Sequence, residues 1–461
     1  MKKQIISTVL TAAMATSLLA ACGGSGGGTT TAAASGDGAG DASGVEATAA
    51  GKTVTLHMWG GVPAESGPQD ACDAFNEAYK DKGIQIEYER YVNDETGNMK
   101  LETNLLGGNE IDLYMSYTMP QLTKRAEGNM ALDLSDLIER DSFDLEGYLG
   151  DLVKSYYVDG KPYAIPCKLD QYGMVLNKDM FDAAGIEIPT DWTYDEFIDV
   201  CKKLTKGEGQ QKQYGTFWNT QQDKAQYVQY FVSQTLGGDN YYTDGGKATA
   251  FTDPVWESTV SMIEETMKDG YAPTHADSVT EKLTQESMFL GERSAMTLGP
   301  WMIRDIKNTD TYPHTFVTAF APYPVMDKDS RKFTQGGYGD FLCINPRSEN
   351  TDAAWEFAKW YLTEGTIYLA RGGRVPSSNT FDTAKVTEQF LSGAEDLFDK
   401  ESLERVIIKP HDDYAALTIT TKNTEITDIL NEELEAIFTE QKSVEDGMKK
   451  AKERADALLA Q

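Results

Sequence analysis

Thr53-Val54-Thr55-Leu56-His57-Met58-Trp59-Gly60-Gly61 opens the run whose reading decides the fold. Val54 to Trp59 is a strand that stops at a glycine pair. Ser66-Gly67-Pro68 then starts a helix, with proline near its first turn, and Ala71, Phe75 and Ala78 give it an apolar face. Ile84 to Tyr91 alternates apolar and charged residues, as a strand does. A helix from Glu95 to Leu106 carries Met99, Leu101 and Leu105, and Ile111 to Met115 is a third strand. The order β-α-β-α-β implies right-handed crossovers and a parallel sheet. Ligands of such sheets bind beyond the carboxyl ends of the strands. That places a site near Trp59-Gly60-Gly61 and near Tyr114 through Tyr117.

The α/β style continues downstream. Thr193 and Glu196 form a capping box that opens a helix with Phe197, Cys201 and Leu204 on one face. Asp253-Pro254 opens another, carrying Val260, Ile263 and Met267. Ala353 to Leu362 is a helix with Trp355 and Trp360. Two more helices lie around Ile426 to Phe438 and Val444 to Leu459.

Upstream lies an address. Lys2 and Lys3 precede an apolar stretch from Ile5 to Ala21, too short and too rich in small residues for a membrane span. It ends in Leu19-Ala20-Ala21-Cys22, which resembles the bacterial lipobox, where the cysteine thiol receives diacylglycerol. Residues 1–21 are then a lipoprotein signal peptide and Cys22 is the lipidation site. Two acyl chains suffice for stable anchoring. This places the protein at the cell membrane, lipid-anchored on the extracytoplasmic face. Residues 22–51 are Gly, Ser, Thr and Ala with a few acids, a flexible linker with a reach of roughly 30 Å.

The 461 residues carry 42 Lys+Arg against 73 Asp+Glu, a net charge of −31, which sets a barrier against nucleic acid. Catalytic signatures are absent: there is no P-loop, G-x-S-x-G elbow, H-E-x-x-H or G-x-G-x-x-G after the first strand. His57, His275, His314 and His411 have no ligand spacing, so no metal is expected. No cofactor is expected either. Cys72, Cys167, Cys201 and Cys343 can pair in three ways; Cys72 and Cys201 lie on apolar helix faces, which favours four buried free thiols.

Several runs follow one another in the order of a known family. After Thr55–Trp59 come Phe75-Asn76-Glu77-Ala78-Tyr79, Leu105-Leu106-Gly107-Gly108-Asn109-Glu110-Ile111-Asp112, and Asp159-Gly160-Lys161-Pro162-Tyr163-Ala164-Ile165-Pro166. Asn177-Lys178-Asp179-Met180-Phe181, Trp192-Thr193-Tyr194-Asp195-Glu196-Phe197, Phe289 to Met296, Gly299-Pro300-Trp301 and Ala353-Ala354-Trp355-Glu356-Phe357 complete the series. The ordered set resembles the family-1 extracellular solute-binding proteins of ABC importers. It departs from them at Leu176, where members often have tyrosine, and at Ile111-Asp112, where they have Pro-Asp.

The resemblance implies a two-lobed α/β protein of the periplasmic-binding-protein type II fold, with discontinuous lobes and a hinge. By correspondence one lobe is 52–135 plus 340–388 and the other is 136–339 plus 389–461. The implied activity is binding: a monomer captures a small-molecule solute, a sugar or oligosaccharide, and delivers it to the transmembrane subunits of an ABC permease. Sugars present apolar C–H faces and hydroxyl rims, so the site needs aromatic rings and planar polar groups. Candidates for stacking are Trp59, Tyr117, Trp218, Trp301, Tyr338 and Tyr414. Candidates for polar contacts are Asp112, Asp170, Gln171, Asn219, Asp340 and Arg374. Gly336-Gly337-Tyr338-Gly339 permits close backbone approach and suits a hinge. Two other classes stay open, an exported carbohydrate-active enzyme and a tethered solute sensor or adhesion module.

Overall fold

The computed structural model describes residues 53–461 apart from Asn109, Gln222, Pro300, Trp301, Asp412 and Thr420. The opening run forms β1 (Val54–Gly60), helix α1 (Pro68–Tyr79), β2 (Ile84–Arg90), helix α2 (Glu95–Gly107) and β3 (Leu113–Ser116), followed by helix α3 (Met119–Glu127). β4 (Ile165–Gln171) leads directly into β5 (Met174–Asn177). A small hairpin joins β6 (Tyr242–Thr243) to β7 (Ala248–Thr249). β8 (Met296–Leu298), β9 (Thr318–Ala321) and β10 (Gly336–Ile344) complete the strands.

Two sheets organise the chain. The first has the order β2-β1-β3-β10-β4; β1 is parallel to β2 and β3, and β10 runs antiparallel to β3 and β4. The second has the order β8-β5-β9, with β5 antiparallel to both neighbours. Residues 214–217 run parallel beside β8, through bonds such as Tyr214 N to Arg293 O and Phe217 N to Met296 O.

Both sheets pack core on two faces except at the edge strand β2, where Gln85, Glu87 and Glu89 are exposed, and the period of two sorts the side chains. Leu56, Met58, Leu113, Met115, Leu342 and Ile344 share one core with Phe75 of α1, while Trp59, Tyr114, Phe341 and Cys343 share another with Leu101 and Leu105 of α2. In the second sheet Met174 and Leu176 face one core, and Val175 and Phe320 face another.

Several expectations shift. In α1 the buried face is Ala71, Cys72 and Phe75, with Tyr79 stacked on Phe75 at 4.2 Å; Ala78 points to solvent. Met99 is exposed, because only Leu101 and Leu105 of α2 lie over the sheet. Leu145, Leu149, Val153 and Ile165 pack with Leu56 and Phe75, so the stretch from 136 through β4 sides with the first sheet. Val386, Phe390 and Leu391 pack with Val175 and Phe320, so the end of the 340–388 segment sides with the second. The capping box forms as read: Thr193 Oγ1 accepts from Glu196 N and Glu196 Oε2 accepts from Thr193 N. Cys72, Cys167, Cys201 and Cys343 are buried free thiols.

Candidate functional site

Strand direction gathers the site. β1, β3 and β4 all point the same way, and β10 points back. The last residues of β1 (Gly60), β3 (Ser116) and β4 (Gln171) therefore share one edge with Gly336, the first residue of β10, which pairs with Gln171. Across the short link Tyr172–Gly173, Met174 starts β5 level with Leu298 and Ala321, the last residues of β8 and β9. The carboxyl-end edges of the two sheets thus meet at the connection between them, the position that such folds use for ligands.

The backbone of β10 is shaped for close approach here. Gly337 has φ 137°, and a Cβ there would sit 2.1 Å from the Tyr156 hydroxyl oxygen. Asp340, inside the strand, holds φ 50°, a left-handed conformation that aspartate tolerates better than most residues.

Charges at the edge are paired. Arg374 Nε donates to Asp340 Oδ2 at 2.7 Å, and Lys168 bridges Asp170. Burial opposes the Arg374 charge, but the Asp340 carboxylate outweighs it and holds the guanidinium pKa above its ordinary value. The Tyr117 hydroxyl accepts from Gly61 N at 2.5 Å, joining the first residue past β3 to the loop past β1. Burial pushes that phenol's pKa well up. Gln171 donates to Ile407 O and accepts from the Tyr414 hydroxyl, each at 2.7 Å, tying β4 to the segment after residue 405. An aromatic wall continues from the link: Tyr172 lies 5.7 Å from Tyr230, which stacks parallel to Tyr323 at 5.8 Å.

The structure therefore brings together Tyr117, Asp170, Gln171, Asp340, Arg374 and Tyr414. Asn219 lies at the second sheet's edge, two residues beyond the strand-like run that ends at Phe217. Four candidates belong elsewhere. Trp59 is 9% exposed and packs under α2 with Leu101 and Leu105. Asp112 precedes β3 and so lies at the opposite end of the sheet, where it accepts from His57 N at 2.9 Å and from Ser348 and Asn350. Trp218 is a core residue whose indole donates to Thr266 Oγ1 at 2.8 Å. The Tyr338 ring packs into the first sheet's cores beside Tyr156, with its hydroxyl donating to Leu149 O and its amide to the Tyr156 hydroxyl. Trp301 and Cys22 lie outside the described residues. Lys168, Tyr172, Tyr230 and Tyr323 also stand at this edge and were not among the candidates; Tyr172 directly follows the nominated Asp170-Gln171 pair, and Lys168 lies two residues before it.

Among the described residues no three His, Cys, Asp or Glu side chains gather as metal ligands, and no helix is long and apolar enough to cross a membrane. His275 Nδ1 is 2.8 Å from Thr220 Oγ1, and burial followed by the Lys224 charge lowers its pKa.

Comparison with known proteins fixes the family. Residues 60–367 match the family model described as bacterial extracellular solute-binding protein. The chain belongs to the bacterial extracellular solute-binding proteins. Among relatives of this solute-binding protein, the maltotriose-binding protein of Pyrococcus abyssi is 28% identical over 214 residues. That match spans 45% of this chain and 42% of the relative, so the chain covers less than half of that protein's length. The diacetylchitobiose-binding protein of Streptomyces coelicolor is 26% identical over 389 residues, 81% of each chain. A sugar transporter from Rhizobium etli, solved in an open conformation, has the same fold: the TM-score is 0.70 at 23% identity, covering 88% of this chain and all of that one. The solute-binding protein thus has the two-lobed α/β architecture.

Proposed function

We propose that this solute-binding protein is the lipid-anchored receptor of an ABC importer, which takes a sugar or oligosaccharide between the facing sheet edges and hands it to the permease. One observation carries the reading: the carboxyl-end edges of both sheets meet where Tyr117, Asp170, Gln171, Asp340, Arg374 and Tyr414 converge beside a tyrosine wall. Planar amides, carboxylates and a guanidinium suit adjacent hydroxyls, and phenol rings suit sugar faces. Asn219 and Trp301 are the second lobe's contributions in this reading. Relatives named for maltotriose and diacetylchitobiose support the ligand class. The Leu19-Ala20-Ala21-Cys22 run supports the anchor.

Calorimetric titration with maltotriose, N,N′-diacetylchitobiose, arabino-oligosaccharides, polyols and amino acids tests the cargo. A saturable signal from a saccharide is expected; binding of only amino acids overturns the sugar reading. Cys22→Ala followed by cell fractionation tests the anchor: the mature protein should leave the membrane fraction. Equal retention places the anchor elsewhere.

A further inference from the structure

The second sheet's edge holds a buried polar relay that the reading above leaves unexplained. Asn219, 4% exposed, donates from Nδ2 to Gln285 Oε1 at 2.9 Å. Gln285, 2% exposed, donates from Nε2 to the Tyr227 hydroxyl at 2.6 Å. Tyr227 in turn lies 6.5 Å from Tyr230 of the wall. Each amide nitrogen thereby donates one of its two N–H bonds within the relay. One atom is left over: Asn219 Oδ1 is buried and meets no donor among the described residues. A buried acceptor without a donor is costly, so Asn219 Oδ1 calls for a donor from outside the chain, a water or a ligand. Asn219 stands in the right place for that. It follows Phe217, whose strand-like run lies parallel to β8, so it emerges level with Gly299 on the side facing the first sheet.

We propose that Gln285 and Tyr227 are positioning residues that present Asn219 Oδ1 as an acceptor for a ligand hydroxyl or amide N–H. The inference rests on the sugar-binding reading and adds a rule of specificity to it. A hydroxyl or acetamido N–H satisfies the oxygen. An ether oxygen or a carboxylate at that point sets acceptor against acceptor and is rejected.

The test uses the full mature chain, with whichever of maltotriose and N,N′-diacetylchitobiose the wild type binds more tightly as the probe. Calorimetric titration and melting curves are run on Asn219→Leu, Asn219→Asp and Tyr227→Phe. Asn219→Leu keeps the volume and removes the acceptor, so affinity should fall about tenfold to a hundredfold. Asn219→Asp keeps an acceptor, and Gln285 can turn its amide to serve it, so binding should stay within about threefold of wild type. Tyr227→Phe frees Gln285 without touching the acceptor and should weaken binding about threefold. A purely structural role would move the melting curves and leave the affinities alone. Asn219→Leu binding as wild type overturns the proposal, and so does Asn219→Asp losing as much as Asn219→Leu. Should the Asn219 variants not fold, unchanged affinity in Tyr227→Phe overturns it. A wild type that binds no saccharide overturns the sugar reading and this inference together, whereas binding that survives Asn219→Leu overturns only the inference.

Discussion

Asp340→Asn separates two things that Asp340 does. The residue is 5% exposed, its Oδ2 accepts from Arg374 Nε at 2.7 Å, and its backbone sits at φ 50°. Two unit charges roughly 4 Å apart at an effective dielectric near 20 attract by about 4 kcal/mol before desolvation. Desolvation removes part of that, leaving about 2 kcal/mol, in line with hydrogen bonds to charged groups. Asparagine has the same shape and the same tolerance of the left-handed region, so Asp340→Asn removes the charge alone and should cost about 2 kcal/mol. Asp340→Ala removes the charge and also the side chain that tolerates this backbone, which adds about 1 kcal/mol. Urea unfolding at constant slope reads both values. Saccharide titration on the same variants should show weaker binding, because the Arg374 guanidinium loses the partner that aims it. Equal stability of the Asn and Ala variants would refute the backbone argument. A loss below about 0.5 kcal/mol in Asp340→Asn would mean that the pair is worth no more than a surface ion pair.

Gly337→Ala should destabilise by about 2–3 kcal/mol, since φ 137° disfavours any Cβ and the Tyr156 hydroxyl lies 2.1 Å from where it would stand. In a Tyr156→Phe background the nearest remaining ring atom is at 3.4 Å, so the cost should shrink; an equal cost in both backgrounds leaves backbone conformation as the sole cause. Lys307 donates to the carbonyls of Arg371 and Phe390, and burial pulls its pKa down to about 8 from 10.5. The unfolded chain then holds more protons across that interval, so this group's contribution makes stability rise between pH 8 and 10.5. Lys307→Met should flatten that segment of the stability profile, and an unchanged profile counts against the burial argument. Trp301→Ala should weaken saccharide binding tenfold to a hundredfold with the melting temperature kept; a lower melting temperature with unchanged affinity would make Trp301 a core residue.

The fold was legible because it depends on periods, and the site was only half legible because it depends on ends. Alternation in Ile84 to Tyr91 and the helical spacing of Ala71 and Phe75 located the opening strands and helices, and their order implied the parallel arrangement of β1, β2 and β3. Assigning a residue to the site needs one more fact, the last residue that still belongs to the strand. Trp59 precedes Gly60, the last residue of β1; it is still in the pleat, so its indole points across the sheet face and α2 covers it. Tyr117 follows Ser116, the last of β3; it has left the ladder, and its hydroxyl reaches the loop after Gly60. The two aromatics looked equivalent, yet they differ by two places relative to the strand end. Asp112 misses at the opposite terminus: β3 begins at Leu113, so its carboxylate lies a strand's length from the ligand edge. Sequence patterns locate strand ends only to about two to four residues, and that uncertainty spans the whole difference between core and cleft. Asp340 is less subject to it, since Gly336-Gly337 marks the start of β10 by a chemistry that no other residue supplies.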